Sequence, residues 1–298
     1  MPQWRASSWS KDTALMGQSA RWRMTVAYRG TMFHGFAKQP GMQTVAGELA
    51  DALQRITQEE TSPLIVCAGR TDAGVHAIAQ VIHVDLVDPL PSTRDGERGP
   101  DELRHSLNRQ LGGDISIIDA VKVSPEFDAR HSARWRRYRY LILEGATPNP
   151  LLAELAWHVS EPMDVRAMAQ ASGAVIGSHD FRCFCRKVAG TTSAEPIVRL
   201  VTHASVDVVD TSESFDLFGG RLIRFEIQAS AFCHQMVRSI AGQLVEIGRG
   251  RSNGADIVAL LHSQSREGAA QPAPSHGLCL VGVGYGPEAG LPKGPISP

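Results

Sequence analysis

Apolar residues recur at every second position over two stretches of the chain, the spacing of half-buried strands. Trp22, Met24, Val26 and Tyr28 alternate with polar or small neighbours, and in residues 80–86 Val81, His83 and Asp85 alternate with Ile82, Val84 and Leu86. The run Leu64, Ile65, Val66, Cys67 reads as a short buried strand ahead of the second stretch. Between the two, Val45, Leu49, Leu53 and Ile56 repeat at helical spacing, with Thr44 as N-cap and Glu48 in the first turn. Further on, the pattern predicts helices over residues 103–111, 164–176 and 232–247, and strands over 115–123, 135–143, 198–208 and 222–228. Strands and helices follow a similar order in the two halves, and hairpin-style connections predict an α+β fold rather than a doubly wound α/β one.

At 298 residues the chain exceeds what one core usually serves, so two halves are expected, over residues 21–125 and 126–286. Residues 1–20, rich in Ser and without periodicity, and the Pro-rich 287–298 read as tails. Residues 88–101 and 209–220, the latter with a Gly219-Gly220 turn, read as surface insertions without an assigned role. No apolar run approaches the roughly 20 residues that span a bilayer, and the Trp4, Arg5, Lys11 and Asp12 start lacks a signal peptide's apolar core, so the cytoplasm is the expected compartment. Five cysteines at irregular spacing do not suggest a disulfide framework. Cys183-Phe184-Cys185 beside His179, and Cys233-His234, lack the spacer of a zinc site and read as thiols; no metal is expected.

The formal net charge of -1 is low for a nucleic-acid partner, but its distribution is uneven. Arg130, His131, Arg134, Arg136, Arg137 and Arg139 crowd one segment and Arg249 with Arg251 a second, while Asp85, Asp88, Asp95, Glu97, Asp101 and Glu102 gather elsewhere. Either the arginines form a local basic surface or they are the solvated side of an ordinary strand.

Residues 68–77, Ala-Gly-Arg-Thr-Asp-Ala-Gly-Val-His-Ala, hold the strongest chemical signal: one carboxylate, Asp72, between Gly69 and Gly74 on a strand-to-strand loop. Thr-Asp-Ala-Gly is equally a good Asx-turn, with the Asp side chain capping its own backbone. Gly69-Arg70-Thr71-Asp72 resembles the signature of the tRNA pseudouridine synthase A family, in which the Asp is catalytic. Further blocks match in order: Tyr28-Arg29-Gly30-Thr31, His34-Gly35-Phe36, Gln39-Pro40-Gly41, Arg134-Trp135-Arg136-Arg137-Tyr138-Arg139-Tyr140, Gly177-Ser178-His179-Asp180-Phe181, Phe232-Cys233-His234-Gln235-Met236-Val237-Arg238, Gly248-Arg249-Gly250 and Gly277-Leu278-Cys279-Leu280. The resemblance runs from about residue 22 to about 286. Cys279, Phe36-Ala37 and Ser239 depart from the commoner family residues.

The resemblance implies two ferredoxin-like halves whose largely antiparallel sheets meet at a central cleft, helices outside. It implies an isomerase that flips a uridine from the tRNA anticodon stem-loop, at tRNA positions 38, 39 and 40, and makes it pseudouridine without a cofactor. It implies Asp72 as catalytic carboxylate, Arg238 as its partner, Tyr138 and Leu278 against the uracil, Arg70 holding the RNA, and a homodimer with one tRNA across both subunits. Alternation alone leaves Tyr138 and Tyr140 together on one strand face. Arg134, Arg136, Arg137, Arg249 and Arg251 are candidates for the RNA backbone. The chemistry asks for a carboxylate poised at the sugar or the base, as in retaining glycosidases; attack at C1′, attack at C6 and removal of a sugar proton all stay open. A non-catalytic RNA-binding protein on the same fold, and a glycosidic-bond hydrolase, are the competing readings.

Overall fold

Ten strands join in one mixed sheet, with five α-helices among the described residues of this computed structural model, which are 18–92, 96, 98–186, 195–210 and 219–286. Residues 1–17, 287–298 and most of 209–220, for which tails and an insertion were expected, lie outside the described residues, as does part of 88–101. The N-terminal strands are β1 (Gln18–Tyr28), β2 (Val66–Cys67), β3 (His76–Asp88) and β4 (Ile115–Val123), with α1 (Val45–Thr57) and α2 (Pro100–Gln110). Then follow β5 (Ala133–Glu144), β6 (Trp157–Val159), α3 (Val165–Ser172), β7 (Gly177–Asp180), β8 (Val198–Val209), β9 (Arg221–Ala229), α4 (Met236–Gly248), α5 (Gly254–Ser263) and β10 (Leu278–Tyr285).

The sheet order is β4-β1-β3-β10-β5-β9-β8-β7, with β2 added to β3 and β6 to β5. Most neighbours are antiparallel, including β1 with β3 and β5 with β9. The seam between early and late strands is parallel and short: Cys279 and Leu280 of β10 pair with His76 and Ala77 of β3. It starts four residues after Asp72, so the Asp72 loop enters the sheet where the two sets of strands meet.

Strand alternation sends one set of side chains to a continuous core and the other to a thinner layer. Trp22, Met24 and Val26 of β1, Ile82 and Val84 of β3, Tyr138 and Tyr140 of β5 and Phe225 of β9 share that core with Leu49 and Leu53 of α1, Leu103 of α2, Met168 of α3, Ile240 and Leu244 of α4 and Ile257 of α5. The helices therefore cover one side of the sheet. On the other, Val81 packs with Ala68, Phe127 and Ala129. The α+β expectation holds.

Thr44 caps α1 as expected, its Oγ1 accepting the Gly47 N–H at 3.2 Å. Three expectations are corrected. Leu64 is 81% exposed, because only Val66 and Cys67 pair with β3. Helix α4 starts at Met236 rather than residue 232, because Gln235 turns into the left-handed region at φ 65°. Cys185 and Cys233 are not separate thiols: the fold brings their Cα atoms to 5.7 Å and they form a disulfide across 48 residues of sequence.

Two buried histidines act as neutral acceptors. His83 Nδ1 accepts the Ala129 N–H at 2.9 Å, and His76 Nδ1 the Gly30 N–H at 3.0 Å. Burial holds both below the ordinary value of 6.5. The unfolded chain then binds more protons than the native one, so their contribution to stability is complete above about pH 6.5 and is lost as pH falls through the folded values. The thermal midpoint is expected to fall between pH 7.5 and 5.5, and His83→Gln, which cannot take up that proton, to flatten the fall; an unchanged slope in the variant contradicts this assignment.

Candidate active site

The loop carrying Asp72 is fixed from behind before its carboxylate meets anything. Gln80, fully buried on β3, donates to Gly69 O at 2.7 Å and to the Tyr28 hydroxyl at 3.3 Å. The Tyr28 hydroxyl in turn shares a hydrogen bond with Thr71 Oγ1 at 2.8 Å, next to Asp72. Phe36 N–H reaches Thr71 O at 3.0 Å, and the turn closes through Val75 N–H on Asp72 O at 3.2 Å. Gly30 lies so close that a Cβ there would collide with Val75 O, and Gly74 sits at φ 78°, a backbone that glycine adopts freely. His76 Nε2, carrying the proton because Nδ1 accepts, donates to Glu154 O and His276 O at 2.8 and 3.0 Å and ties two further loops to this one.

These contacts engage backbone, not the carboxylate. Among the described residues the Asp72 side chain accepts no backbone N–H, so the Asx-turn reading does not hold. Two cationic-type groups face it instead: Arg238 Nη1 stands 3.7 Å from Oδ2 and His234 Nε2 3.4 Å from Oδ1, with the carboxylate 31% exposed. Arg238, in the first turn of α4, is aimed by its own backbone and side chain, because Ala273 donates to Arg238 O at 2.9 Å and accepts from Arg238 Nε at 2.7 Å. The expected Asp72–Arg238 pairing is thus present as a through-space pair. His234 was singled out in the sequence only as half of a Cys-His dipeptide; its place opposite Asp72 is set by the short connection between β9 and α4, which spacing cannot show.

Tyr138 is 7% exposed on β5 and packs edge-on against Phe232 with ring centroids 5.1 Å apart. Its hydroxyl lies 3.7 Å from where a Gly69 Cβ would stand, on the Asp72 loop. Burial, with the nearby Cys67 and Asp72, pushes its phenol well above the ordinary range. Tyr140 is separated from it by function: its hydroxyl donates to Pro274 O at 2.7 Å, which occupies it structurally. Leu278, at the head of β10, is buried and pairs across from Tyr140, while Leu280 opposes Tyr138. Arg70 is exposed beside Asp72 and makes no ion pair among the described residues.

The arginine cluster divides. Arg136 is not available to a phosphate: it is 8% exposed, and its guanidinium donates to Ala68 O at 2.8 and 3.2 Å, Arg130 O at 2.6 Å, Ala133 O at 3.0 Å and Ser230 O at 2.9 Å. Alternation held the clue, since Arg136 shares strand parity with Tyr138 and Tyr140. Arg137 is exposed, stacks over Trp135 at 5.6 Å and donates to Gln228 Oε1. Arg134 is exposed at the start of β5. Arg249 and Arg251 both pair with Glu161 and Glu246 at the far end of α4, roughly 16 Å along the helix from Arg238, beside a cavity of about 770 Å³ lined by Met163, Ala171 and Ile247.

Removing the Arg136 guanidinium takes this donor from the buried Ala68 carbonyl and from the part-buried carbonyls of Arg130, Ala133 and Ser230. Arg136→Ala is expected to cost about 3 kcal/mol or more in a denaturant titration, against less than about 1 kcal/mol for Arg137→Ala. Equal losses in the two variants would refute the structural role of Arg136.

No described group of three or more His, Cys, Asp or Glu side chains gathers as a metal cage, and no described helix is long and apolar enough to cross a membrane. The family model described as tRNA pseudouridine synthase matches residues 24–132 and 171–286, which include Asp72, Arg238 and Leu278. A curated relative from Frankia casuarinae, tRNA pseudouridine synthase A, is 40% identical over 274 residues, 91% of each chain. One of the same name from Moorella thermoacetica is 41% identical over 265 residues, 88% of this chain and 98% of its own, and one from Shouchella clausii is 38% identical over 267 residues, 90% and 94%. With the match covering most of its length and both walls of the site, the chain belongs to the tRNA pseudouridine synthase family.

Proposed function

We propose that this chain isomerises uridine to pseudouridine in the anticodon stem-loop of tRNA, at positions 38, 39 and 40, with Asp72 as the reacting carboxylate. The observation that carries this reading is a carboxylate on a rigid loop, free of backbone hydrogen bonds and faced by Arg238 and His234, beside the buried Tyr138. With Arg238 facing Oδ2 and His234 facing Oδ1, the carboxylate is placed to act as a nucleophile or base. Tyr138 and Leu278 supply a wall for a flat base and Phe232 backs the tyrosine. A paired base cannot reach this depth, so the uridine leaves the stack, at a cost of a few kcal/mol. Exposed Arg70 is suited to the gap it leaves, and exposed Arg134 and Arg137 to the phosphates. In the reaction the N1–C1′ bond breaks, the uracil turns over, a C5–C1′ bond forms, the C5 hydrogen departs as a proton and N1 takes up a proton from solvent.

We assign residues 21–125 and 126–286 as the two halves that close this cleft. The family likeness further supports a homodimer with one tRNA across both subunits, acting in the cytoplasm where tRNA is the substrate.

With tRNA labelled by tritium at uridine C5, the native protein is expected to release label without free uracil, and Asp72→Asn, matched for folding, to lose roughly a thousandfold or more of that rate. Free uracil would make it a hydrolase; tight tRNA binding without release would make it a binding protein. Arg134→Ala is expected to weaken tRNA binding and lower the slope of log affinity against log salt by about one, whereas an unchanged slope removes it from the interface.

A further inference from the structure

We infer that His234 is a positioning residue that fixes the orientation of the Asp72 carboxylate. The inference rests on the reading of Asp72 as the reacting group and extends it to a residue on the opposite wall. The carboxylate is unusual in what it lacks. Its loop is tied down through Gly69, Thr71, Phe36 and Val75, yet none of those bonds touches Oδ1 or Oδ2. A free carboxylate on a fixed backbone still turns about its side-chain torsions. Each oxygen meets one group: Oδ2 meets Arg238 Nη1 at 3.7 Å, and Oδ1 meets His234 Nε2 at 3.4 Å. Arg238 alone defines a distance, not a plane. The second group, on the other oxygen, selects the rotation.

Its backbone suits His234 to that task. The preceding residue, Cys233, is covalently joined to Cys185. His234 O accepts the Arg186 N–H at 2.9 Å, and the following Gln235 is turned at φ 65° before α4 begins. Met236 N–H closes this turn on Cys233 O at 3.1 Å. A side chain 43% exposed contributes little to the core, and no other bond of its imidazole competes for Nε2 among the described residues. The two groups meet as a close through-space pair, without a formed hydrogen bond between them. Misplacing a reacting group by about 1 Å can cost roughly a hundredfold in rate. The loss is therefore expected in the chemical step, not in tRNA affinity.

His234→Ala, His234→Gln and Asp72→Asn are compared with the native full chain by single-turnover C5-tritium release from tRNA, alongside the tRNA dissociation constant and the thermal midpoint. The inference expects His234→Ala to slow the chemical step roughly 10- to 100-fold, with dissociation constant and midpoint near native. It expects His234→Gln, which returns an N–H donor of similar reach, to recover most of that loss. A native rate in His234→Ala, a loss confined to tRNA affinity, or a glutamine variant no better than alanine overturns it. Asp72→Asn separates the two readings. An inactive Asp72→Asn beside a fully active His234→Ala removes His234 alone, whereas an active Asp72→Asn removes the reading on which the inference stands.

Discussion

The site depends on one buried guanidinium. Arg136 donates to Ala68 O on the Asp72 loop, to Arg130 O and Ala133 O at the entry of β5, and to Ser230 O where β9 gives way to the loop carrying Phe232 and His234. Burying an arginine is costly unless its donors are satisfied, and burial lowers its proton affinity. Here carbonyls of three segments compensate it, and none of the three can move without breaking a charge-assisted bond. The carboxylate and the groups that face it arrive from opposite ends of the chain. Arg136 makes their separation a property of the sheet instead of two independent loops.

Around that clamp the polar groups divide into those that hold and those left to react. Tyr28, Gln80, His76 and Tyr140 are consumed by hydrogen bonds to Thr71, Gly69, Glu154, His276 and Pro274. Asp72, Arg70 and His234 keep exposed surface, and Tyr138 presents a ring whose hydroxyl lies beside the same loop. This division is what electrostatic preorganisation requires: fixed dipoles and charges around a cleft, with little left to rearrange during reaction. The sheet seam adds to it, since the parallel β3–β10 pairing at His76 and Ala77 follows directly on the reactive loop.

Much of this was legible in the residues. Period-two runs located β1 and β3, the wider pattern located β4, β5, β8 and β9, and the Thr44 cap with Leu49 and Leu53 located α1, because each signal is local. Asp72, Tyr138 and Arg238 were reached through motif likeness, and the structure brings them together. What was missed depends on distance along the chain. The Cys185–Cys233 bond joins residues 48 apart, and His234 faces Asp72 across more than half the sequence. Arg136 was mistaken for a surface charge because composition was weighed above strand parity. Helix α5 escaped although Asn253 and Asp256 form a capping box ahead of the apolar run Ile257, Val258, Ala259, Leu260 and Leu261, a signal that was open in the sequence.

The most direct test of the account is a crystal structure of Asp72→Asn bound to an unmodified tRNA anticodon stem-loop. The account predicts one uridine turned out of the helix, its ring against Tyr138 and Leu278, and its C1′ or C6 within about 3.5 Å of the residue 72 side chain. A stem-loop bound with every base still stacked, or a flipped uridine lodged away from residue 72, would contradict it.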